Sequence, residues 1–353
     1  MRATTQAPGH VPPDAAVATA LRRAVQLAAR GPARDPNPRV GCVLLSPDGT
    51  TVGEGYHRGA GTPHAEVVAL MEAGPRARGA TAVVTLEPCA RSGRTGPCAH
   101  ALAEAGVAAV RYAVADPTPA GGGAHELAAA GVEVRRSPDE GADELVADWL
   151  RAARLGRPHV LWKIASTLDG RVAAADGTSR WITSAAARES AHRLRTSVHA
   201  VVVGTGTALT DDPALTARAA DGTLLPVQPL RVVVGHRDLP DGARLDDDAA
   251  PTLHLRTHDP AEVLTELRSR GAQSVLIEGG PRLGGAFWQA GLVDELLVHL
   301  APALLGAGPS AVPDLGIGTV ADTARLEITE TTRLGPDLQI RLRPLTPTPH
   351  QED

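Results

Sequence analysis

The sequence predicts two different α/β domains in one chain. Its 353 residues exceed the size of one typical domain. Apolar segments typical of buried strands alternate with segments of helical periodicity, which indicates parallel or mixed sheets covered on both faces. The sequence Gly-Arg-Pro at 156–158 interrupts a helical pattern over residues 139–155. We therefore expect one domain over residues 14–155 and another over 156–345, with no internal repeat.

The first domain is expected to begin with a helix. Val17, Leu21, Val25 and Ala28 recur at helical spacing, which predicts a helix over residues 14–30. Continuous apolar runs and short periodic segments predict the rest of the domain: strands at 40–45, 81–88, 107–117 and 132–137, and helices at 65–73, 98–105, 125–131 and 139–155.

A second α/β series follows the interruption. Its helices are expected at 184–197, 261–271 and 283–291, and its strands at 159–167, 200–209, 230–235, 274–280 and 294–302. Residues 324–344 contain two alternating runs on either side of Gly335-Pro336, which predicts a β-hairpin.

Composition excludes several classes of partner. Only 2% of residues are aromatic and the formal net charge is −5, whereas nucleic-acid surfaces are basic and use aromatic stacking. No apolar run reaches the roughly 20 residues of a membrane span, and the opening residues lack the apolar stretch of a secretory signal. Three sparse cysteines do not make a disulfide framework. We expect small-molecule partners, no nucleic acid, no membrane and a cytoplasmic location.

The first domain carries a zinc-site pattern. His64 and Glu66 stand at the start of a predicted helix, and Cys89 and Cys98 follow a predicted buried strand with eight residues between them. One imidazole and two thiolates leave a tetrahedral zinc with one open position for water. Glu66 lies close enough to move protons without binding the metal, as in zinc deaminases. We predict His64, Cys89 and Cys98 as zinc ligands and Glu66 as the catalytic acid and base.

Each of these residues also has a simpler interpretation. His64 alone could cap a helix, Glu66 could be a solvated acid, and each cysteine could be a core residue. The combination, in this order and on these elements, favours the metal site. Cys42 lies inside an apolar strand without a partner at ligand spacing, and we expect it to be a core residue.

Several stretches resemble the deaminase half of the bifunctional riboflavin-biosynthesis proteins of the RibD type. They are PNPRVGCVL, VGEGYH, GTPHAEVVAL, TLEPC and GRTGPCAHAL. The resemblance implies a cytidine-deaminase-like three-layer sandwich. It also implies hydrolytic removal of the 2-amino group of 2,5-diamino-6-(5-phosphoribosylamino)pyrimidin-4(3H)-one. Asn37 is then a contact to the pyrimidine, and His64, Cys89 and Cys98 are the zinc ligands.

The loop between the cysteines is longer than the two residues of cytidine-type deaminases and contains Arg91 and Arg94. Guanidinium groups suit a phosphorylated substrate, although arginines also occur simply to solvate loops. The RibD type usually has a histidine where this chain has Arg91. Our hypothesis is that Arg91 and Arg94 share the ribose phosphate.

The second domain contains a glycine-rich turn after a predicted strand. In SVLIEGGPRLGGAF, glycines precede a helix, and such turns let backbone N–H groups approach a phosphate. The pattern is not that of a Rossmann dinucleotide site, and glycines at turns are common. On its own, the turn is weak evidence for a cofactor site.

Further stretches resemble the reductase half of the same family. They are WKIASTLDGRVA, DGTSRWIT, VVVGTGTALTDDPALTAR and LIEGGPRLGGAF, so that the resemblance covers residues 14–345 in the same domain order. It implies a dihydrofolate-reductase-like α/β domain. NADPH then reduces the ribose of the deaminated intermediate to give 5-amino-6-(5-phosphoribitylamino)uracil.

The resemblance also implies site residues in this domain. Those matching substrate-binding positions are Ser179, Arg195, Leu215, Arg218 and Glu278. Those matching cofactor-binding positions are Ala165, Trp181, Thr207, Asp211, Gly280, Pro281, Arg282, Leu283, Gly284, Gly285 and Ala286. Lys163, Asp211 and Glu278 are expected at the catalytic centre, where an ammonium and carboxylates can move protons as the ribose opens. Without the resemblance, Asp211 would be interpreted as a turn residue and Arg195 as part of a solvated helix face.

Two other functions are compatible with parts of the sequence. A nucleic-acid-editing deaminase would need the basic and aromatic surface that the composition lacks. A one-activity relative, in which one half has become a binding module, is disfavoured by the complete His64, Glu66, Cys89 and Cys98 set. Arg91 is the one residue in its favour. We expect a homodimer or a higher homo-oligomer that acts on a phosphorylated pyrimidine.

Overall fold

The protein is described by a computed structural model over residues 12–91 and 96–345. The chain forms two compact units that divide between Gly156 and Arg157. A helix ends at this point because Gly156 adopts φ 67°, a left-handed conformation that glycine tolerates at a helix C-terminus. The division coincides with the Gly-Arg-Pro interruption in the sequence.

The first unit is built on a five-stranded mixed sheet with the order β2-β1-β3-β4-β5. β1 is antiparallel to both β2 and β3, and β3, β4 and β5 are parallel. The strands are β1 Gly41–Leu45, β2 Thr51–Tyr56, β3 Thr81–Leu86, β4 Ala109–Val114 and β5 Glu133–Arg136. The helices are α1 Asp14–Ala28, α2 Ala65–Ala73, α3 Cys98–Glu104, α4 Gly123–Ala129 and α5 Glu140–Leu155, with a 3₁₀ turn at Gly74–Ala77.

Helices cover both faces of this sheet. α1 packs on β1 and β3 and contacts α5, whereas α2 packs on β1 and β2 and contacts α3. α1 presents Val17, Leu21, Ala24 and Leu27 to the core, because these residues recur at three- and four-residue intervals. β1 and β3 are buried along their whole length. The predicted three-layer α/β sandwich is confirmed.

Two glycines let α2 approach β2 closely. A Cβ on Gly53 would lie 2.4 Å from the carbonyl oxygen of Ala69, and one on Gly55 would lie 2.2 Å from that of Ala65. Any side chain at either position would push the helix away from the sheet. These glycines belong to the VGEGYH stretch, so part of that motif is explained by the packing of the helix that begins after His64.

The second unit contains an eight-stranded sheet with the order β12-β13-β11-β6-β10-β7-β8-β9. The run from β11 to β9 is parallel, and the β12–β13 hairpin adds antiparallel to β11. The strands are β6 His159–Thr167, β7 Ala200–Gly204, β8 Leu230–Val234, β9 Thr252–Leu255, β10 Ser274–Ile277, β11 Glu295–Ala301, β12 Leu326–Leu334 and β13 Asp337–Pro344. The helices are α6 Ala185–Ser197, α7 Thr205–Asp211, α8 Pro260–Ser269 and α9 Pro281–Gln289, with a 3₁₀ turn at Arg244–Asp246.

Successive residues of the central strands point to opposite faces of this sheet. Trp162 and Ile164 of β6 pack in the cluster that contains residues of α8 and α9, whereas Leu161 packs with residues of α6 and α7. Lys163 and Ala165 share the alternation of Leu161, so they face the α6 side. Because the central strands are parallel, their carboxyl ends meet at one edge, where ligands bind in open α/β sheets.

The structure differs from the sequence prediction in a few elements. The strand expected over 200–209 ends at Gly204, and α7 begins at Thr205. β2 and β9 were not predicted; β9 is a four-residue edge strand, and β2 contains the two glycines that reduce its strand propensity. Within the described ranges, no helix combines the length and the apolar character needed to cross a membrane.

Candidate functional sites

The predicted zinc ligands lie together in the first unit. His64 is the residue before α2, Cys89 follows β3, and Cys98 is the first residue of α3. The Nδ1 atom of His64 lies 3.2 Å from the Sγ of Cys98 and 3.7 Å from the Sγ of Cys89. A tetrahedral zinc with bonds of about 2.3 Å to sulfur and about 2.0 Å to nitrogen separates such atoms by roughly 3.5 Å. The three ligand atoms therefore fit a zinc ion.

The protonation of the two thiols is linked. A hydrogen bond from the Cys98 thiol, opposed by burial, lowers the pKa of Cys89 to about 4, whereas the same interaction and burial raise the pKa of Cys98. The backbone N–H of Cys98 also donates to the Cys89 sulfur at 3.3 Å. A divalent cation would displace the remaining thiol proton, because thiolates are the form that binds metal.

Glu66 lies in the first turn of α2, with 3% of its surface exposed. Burial raises the pKa of its carboxyl, and a hydrogen bond with Cys98 acts in the opposite direction. A raised carboxyl pKa favours proton exchange near neutral pH. The structure thus places Glu66 beside the three ligand residues in a setting suited to acid and base chemistry.

Asn37 is connected to this cluster through His57, a buried residue that sequence reasoning missed. The Nδ1 of His57 lies 3.2 Å from the carbonyl oxygen of Pro63, and its Nε2 lies 3.1 Å from the Nδ2 of Asn37. A carbonyl only accepts, so Nδ1 donates to Pro63, and Nε2 is placed to accept from the Asn37 amide. The amide oxygen of Asn37 is then directed away from His57. His57 was visible in the VGEGYH stretch.

Glu87 orders the backbone around Cys89. Its carboxylate accepts hydrogen bonds from the backbone N–H groups of Asp116, Gly122 and Ala124 at 3.1–3.2 Å. The N–H of Ala90 donates to the carbonyl of Ala120 at 2.8 Å in the same region. Glu87 precedes Pro88 and Cys89, so these bonds fix the segment that carries a ligand. Glu87 lay in the TLEPC stretch but had no predicted role.

Of the two arginines in the loop between the cysteines, the structure describes only Arg91. Arg91 is exposed, and its predicted contact with the substrate phosphate stays a prediction. Arg94 lies outside the described residues, so its predicted phosphate contact stays a prediction.

Two cavities of the second unit meet at Lys163 and Glu278. The larger has a volume of about 1020 Å³ and the smaller about 660 Å³, and both are lined by Lys163, Ala165, Ser179, Asp211 and Glu278. Arg195, Arg218 and Trp181 line only the smaller cavity, whereas Thr207 and the turn from Gly280 to Leu283, together with Ala286, line only the larger. The arrangement provides two compartments that share a polar junction.

Arg195 and Glu278 form a partly buried bidentate ion pair at this junction. Nε and Nη2 of Arg195 donate to the two carboxylate oxygens at 2.7 and 2.9 Å, and Nη1 donates to the carbonyl of Thr216 at 2.9 Å. Burial raises the pKa of Glu278, but the charges of Arg195 and Lys163 and the hydrogen bonds outweigh burial and bring the pKa down to about 2. Glu278 is therefore ionised at neutral pH.

Lys163 responds to the same surroundings in the other direction. Burial and the neighbouring Arg195 charge lower the pKa of its ammonium, and Glu278 partly restores it. A lysine with a lowered pKa releases a proton more readily. Sequence reasoning missed His192 of α6, which also lines the smaller cavity and lies 3.1 Å, through Nδ1, from the carbonyl of Thr216.

The glycines of the glycine-rich stretch have different surroundings: one borders the larger cavity, and two pack inside a helix. The N–H of Gly280 donates to the Thr207 hydroxyl at 3.1 Å, which joins two segments of the larger cavity. Gly284 and Gly285 instead lie inside α9 and are buried: a Cβ would lie 2.0 Å from the ring of Trp162 at Gly284 and 2.3 Å from Pro313 at Gly285. Their lack of side chains is thus required by helix packing, and not by approach to a ligand in the cavity.

Two other residues predicted to bind substrate or cofactor lie elsewhere than in the larger cavity. Leu215 is buried in the core with φ 51° and lines neither cavity. Trp181, expected at the cofactor, lies at the smaller cavity with 69% of its surface exposed. The guanidinium of Arg188 lies 4.3 Å from the centre of its ring. Trp181 therefore lines the cavity that the glycine-rich turn does not line.

Comparison with family models assigns a different family to each unit. The model of the cytidine and deoxycytidylate deaminase zinc-binding region matches residues 16–114. The model of the RibD C-terminal domain matches residues 158–340.

Curated and solved relatives match over most of the chain. The riboflavin biosynthesis protein RibD of Mycobacterium tuberculosis is 51% identical over 310 residues, which cover 87% of this chain and 91% of that protein. The Escherichia coli protein of the same name is 40% identical and covers 91% and 98%. The structure of Acinetobacter baumannii RibD is 37% identical with a TM-score of 0.75, covering 94% of this chain and 99% of that one.

The packing of Gly284 gives a testable prediction. Gly284→Ala should lower the free energy of unfolding by about 1–3 kcal/mol, because the new methyl group collides with the Trp162 ring. Gly318→Ala is the matched control, since a Cβ there meets nothing within 4 Å, and its effect should stay within about 0.5 kcal/mol. Urea unfolding measures both. Equal stabilities of the two variants would contradict the packing role.

Proposed function

The chain belongs to the RibD family of bifunctional deaminase–reductases of riboflavin biosynthesis, and we propose that each unit catalyses one of the two reactions. The first unit hydrolytically deaminates a phosphorylated diaminopyrimidinone, and the second reduces the ribose of the product. A solved relative from Thermotoga maritima, 30% identical, is a diaminohydroxyphosphoribosylaminopyrimidine deaminase and 5-amino-6-(5-phosphoribosylamino)uracil reductase. The cofactors are zinc and NADPH.

The convergence of His64, Cys89 and Cys98 beside the buried Glu66 carries the deaminase proposal. A zinc ion bound by these three residues would offer a fourth position at which a water becomes acidic. Glu66 takes a proton from the attacking water and later gives a proton to the departing amine, so that one water is consumed and one ammonia is released. Asn37 contributes its amide oxygen, which His57 leaves available, to orient the pyrimidine.

The reductase proposal depends on the junction between the two cavities. The larger cavity, which the glycine-rich turn lines, would hold NADPH, and the cofactor would supply a hydride to the sugar carbon. Lys163 donates a proton to the ring oxygen as the ribose opens, which its lowered pKa favours. Glu278, kept ionised by Arg195, accepts hydrogen bonds from sugar hydroxyls, with Asp211 at the same junction. Arg218 and Ser179 line the compartment left for the substrate.

Mass spectrometry of products tests the two activities together. The diaminopyrimidinone phosphate should lose one amino group without NADPH, and should gain two hydrogens as well when NADPH is present. A protein that completes only one of these mass changes would support a one-activity relative instead.

We also propose that the protein is a cytoplasmic homodimer or higher homo-oligomer. Cys42, Cys89 and Cys98 form no disulfide, which is typical of a reducing compartment. Light scattering coupled to size-exclusion chromatography measures the oligomeric state, and a monomeric mass would refute that part of the proposal.

The zinc assignment predicts a contrast between cysteines. Cys89→Ala should lower bound zinc from about one ion per chain to nearly none, because two ligands rarely hold zinc against a chelator. Cys42→Ala is the matched control, since Cys42 is buried in the core and belongs to no ligand cluster within the described residues. Metal analysis by mass spectrometry measures both variants. Full zinc content in Cys89→Ala would overturn the assignment.

The role of Glu66 predicts separable activities. Glu66→Gln should reduce deamination by at least about 100-fold, because an amide cannot move the proton. Zinc content and reduction of pre-deaminated substrate should stay near wild type. Normal deamination by this variant would show that another residue is the acid and base.

The position of Arg91 predicts an effect on substrate binding. Arg91→Ala should raise KM for the phosphorylated substrate several-fold with a smaller change in kcat, the result of lost uniform binding. The loss should shrink for a dephosphorylated analogue. Arg135→Ala, which removes an exposed arginine from β5, is the control. Equal losses with both substrates would show that Arg91 does not contact the phosphate.

A further inference from the structure

The buried residue Thr216 hydrogen-bonds to three basic side chains at the smaller cavity of the second unit. Its carbonyl accepts from Nδ1 of His192 at 3.1 Å and from Nη1 of Arg195 at 2.9 Å. Its side-chain oxygen accepts from Nε of Arg218 at 3.0 Å. All three basic residues line the cavity, so the contacts to Thr216 hold two guanidinium groups and one imidazole close together there.

Positive charge exceeds negative charge around this cavity. Beside the ion pair of Arg195 with Glu278, its lining includes the bases Lys163, Arg188 and Arg218 and the acids Asp211 and Glu189. Glu189 is already paired with Arg193 of the same helix. Among the described residues, neither Arg188 nor Arg218 belongs to an ion pair. The cavity therefore favours a negatively charged ligand.

The His192 ring is uncharged at neutral pH. A carbonyl only accepts, so Nδ1 is the nitrogen that donates to Thr216. Burial and the charges of Arg195 and Arg218 lower the pKa of His192 below its usual range, and the negative charge of Glu278 only partly restores it. Nε2 of the neutral ring then carries a lone pair, and it has no hydrogen bond to any residue that the structure describes.

A phosphate in this cavity would reverse the protonation state of His192. A phosphate monoester carries a charge of about −1.5 to −2 at neutral pH, and its ionised oxygens accept hydrogen bonds. A nearby anion raises the pKa of an imidazole, because it stabilises the charged ring. One proton from the solvent turns Nε2 from an acceptor into a charged donor, and the hydrogen bond to the phosphate is then charge-assisted. Phosphate binding and proton uptake are thus linked, and each favours the other.

We propose that His192 is a proton-linked contact to the phosphate of the reductase substrate, uncharged before binding and protonated in the complex. This inference rests on the proposed reductase function. Arg218 supplies a permanent charge at the phosphate, whereas His192 acquires its charge only when the phosphate is bound. The site therefore avoids a further unpaired cation before binding, which burial would make costly. Because the complex holds one more proton than the separate partners, the affinity falls as pH rises from the pKa of His192 in the free protein to its pKa in the complex.

Isothermal titration calorimetry with D-ribose 5-phosphate, which represents the sugar phosphate part of the substrate, measures this proton. The zinc-loaded full-length protein is titrated near neutral pH in two buffers of different ionisation enthalpy, because the difference in heat gives the number of protons taken up. The wild-type protein should take up about half a proton to one proton per site. Its Kd should rise by up to about tenfold per pH unit above neutral pH, where the free phosphate is already a dianion.

His192→Asn removes the basic nitrogen but keeps a side-chain N–H that can donate to the Thr216 carbonyl. Proton uptake should fall to nearly zero, and the Kd at neutral pH should rise about tenfold, as loss of a hydrogen bond to a charged group does. The rise of Kd with pH should also flatten. His100→Asn, which changes an exposed histidine on α3 of the first unit, is the matched control and should leave uptake and Kd unchanged.

The possible failures are distinguishable. NADPH binding should be the same in wild type and in both variants, which shows that the second unit is folded. Unchanged proton uptake in His192→Asn would assign the proton to another group and overturn the proposal. Binding of ribose 5-phosphate by the wild-type protein without proton uptake, or equal uptake with D-ribose, would overturn it as well. Absence of ribose 5-phosphate binding by a wild-type protein that binds NADPH would instead refute the proposed reductase substrate.

Discussion

Buried ionisable groups are the constraint on which both candidate sites depend. A charge removed from water is costly unless a partner compensates it. Glu66 is buried and the side chain of Glu278 is only 9% exposed, yet of these two carboxyls only Glu278 is hydrogen-bonded to a guanidinium. Burial raises the pKa of Glu66, whereas Arg195 and Lys163 lower that of Glu278 to about 2. The first carboxyl is thereby suited to exchanging protons and the second to remaining an anion.

The backbone around each group is fixed by contacts that do not touch a ligand. In the first unit, Gly53 and Gly55 bring α2 against the sheet and so set the position of His64 and Glu66. Glu87 fixes the segment before Cys89 through three backbone hydrogen bonds. In the second unit, Thr216 accepts from both His192 and Arg195. Such supporting contacts determine whether ligand atoms stay within bonding distance.

Much of the fold could be predicted because burial patterns are local. β6 occupies the predicted residues 159–167, and the hairpin turns at Gly335, since continuous and alternating runs identify strands directly. The zinc cluster was also predictable, because one histidine and two cysteines at this spacing are typical of a metal site. The start of α7 at Thr205 was missed: small and β-branched residues continue the strand pattern past Gly204, and only the tertiary fold ends it.

Residues that act through tertiary contacts were harder to recognise. His57 and Glu87 lie inside quoted motifs, but their hydrogen bonds reach residues 20 and 29–37 positions away, beyond any local pattern. His236, Arg237 and His258 line the larger cavity of the second unit but belong to no shared motif, because only the strand order brings the ends of β8 and β9 to that cavity.

The glycine-rich turn shows most clearly where sequence reasoning stops. Gly280, Gly284 and Gly285 look equivalent in the sequence, since each could let a backbone approach a phosphate. In the structure, only Gly280 borders the cavity, whereas Gly284 faces the indole of Trp162 and Gly285 faces Pro313. A glycine in the sequence can indicate that another group lies close to the backbone, but it does not indicate whether that group belongs to a ligand or to the protein's own core. Because α9 begins at Pro281, residues three and four positions later fall on the buried side of its first turns. The same helix thus faces the cavity at its start and packs on β6 one turn later, so that the glycine-rich turn and the strand carrying Lys163 are held close together by the absence of a side chain at Gly284.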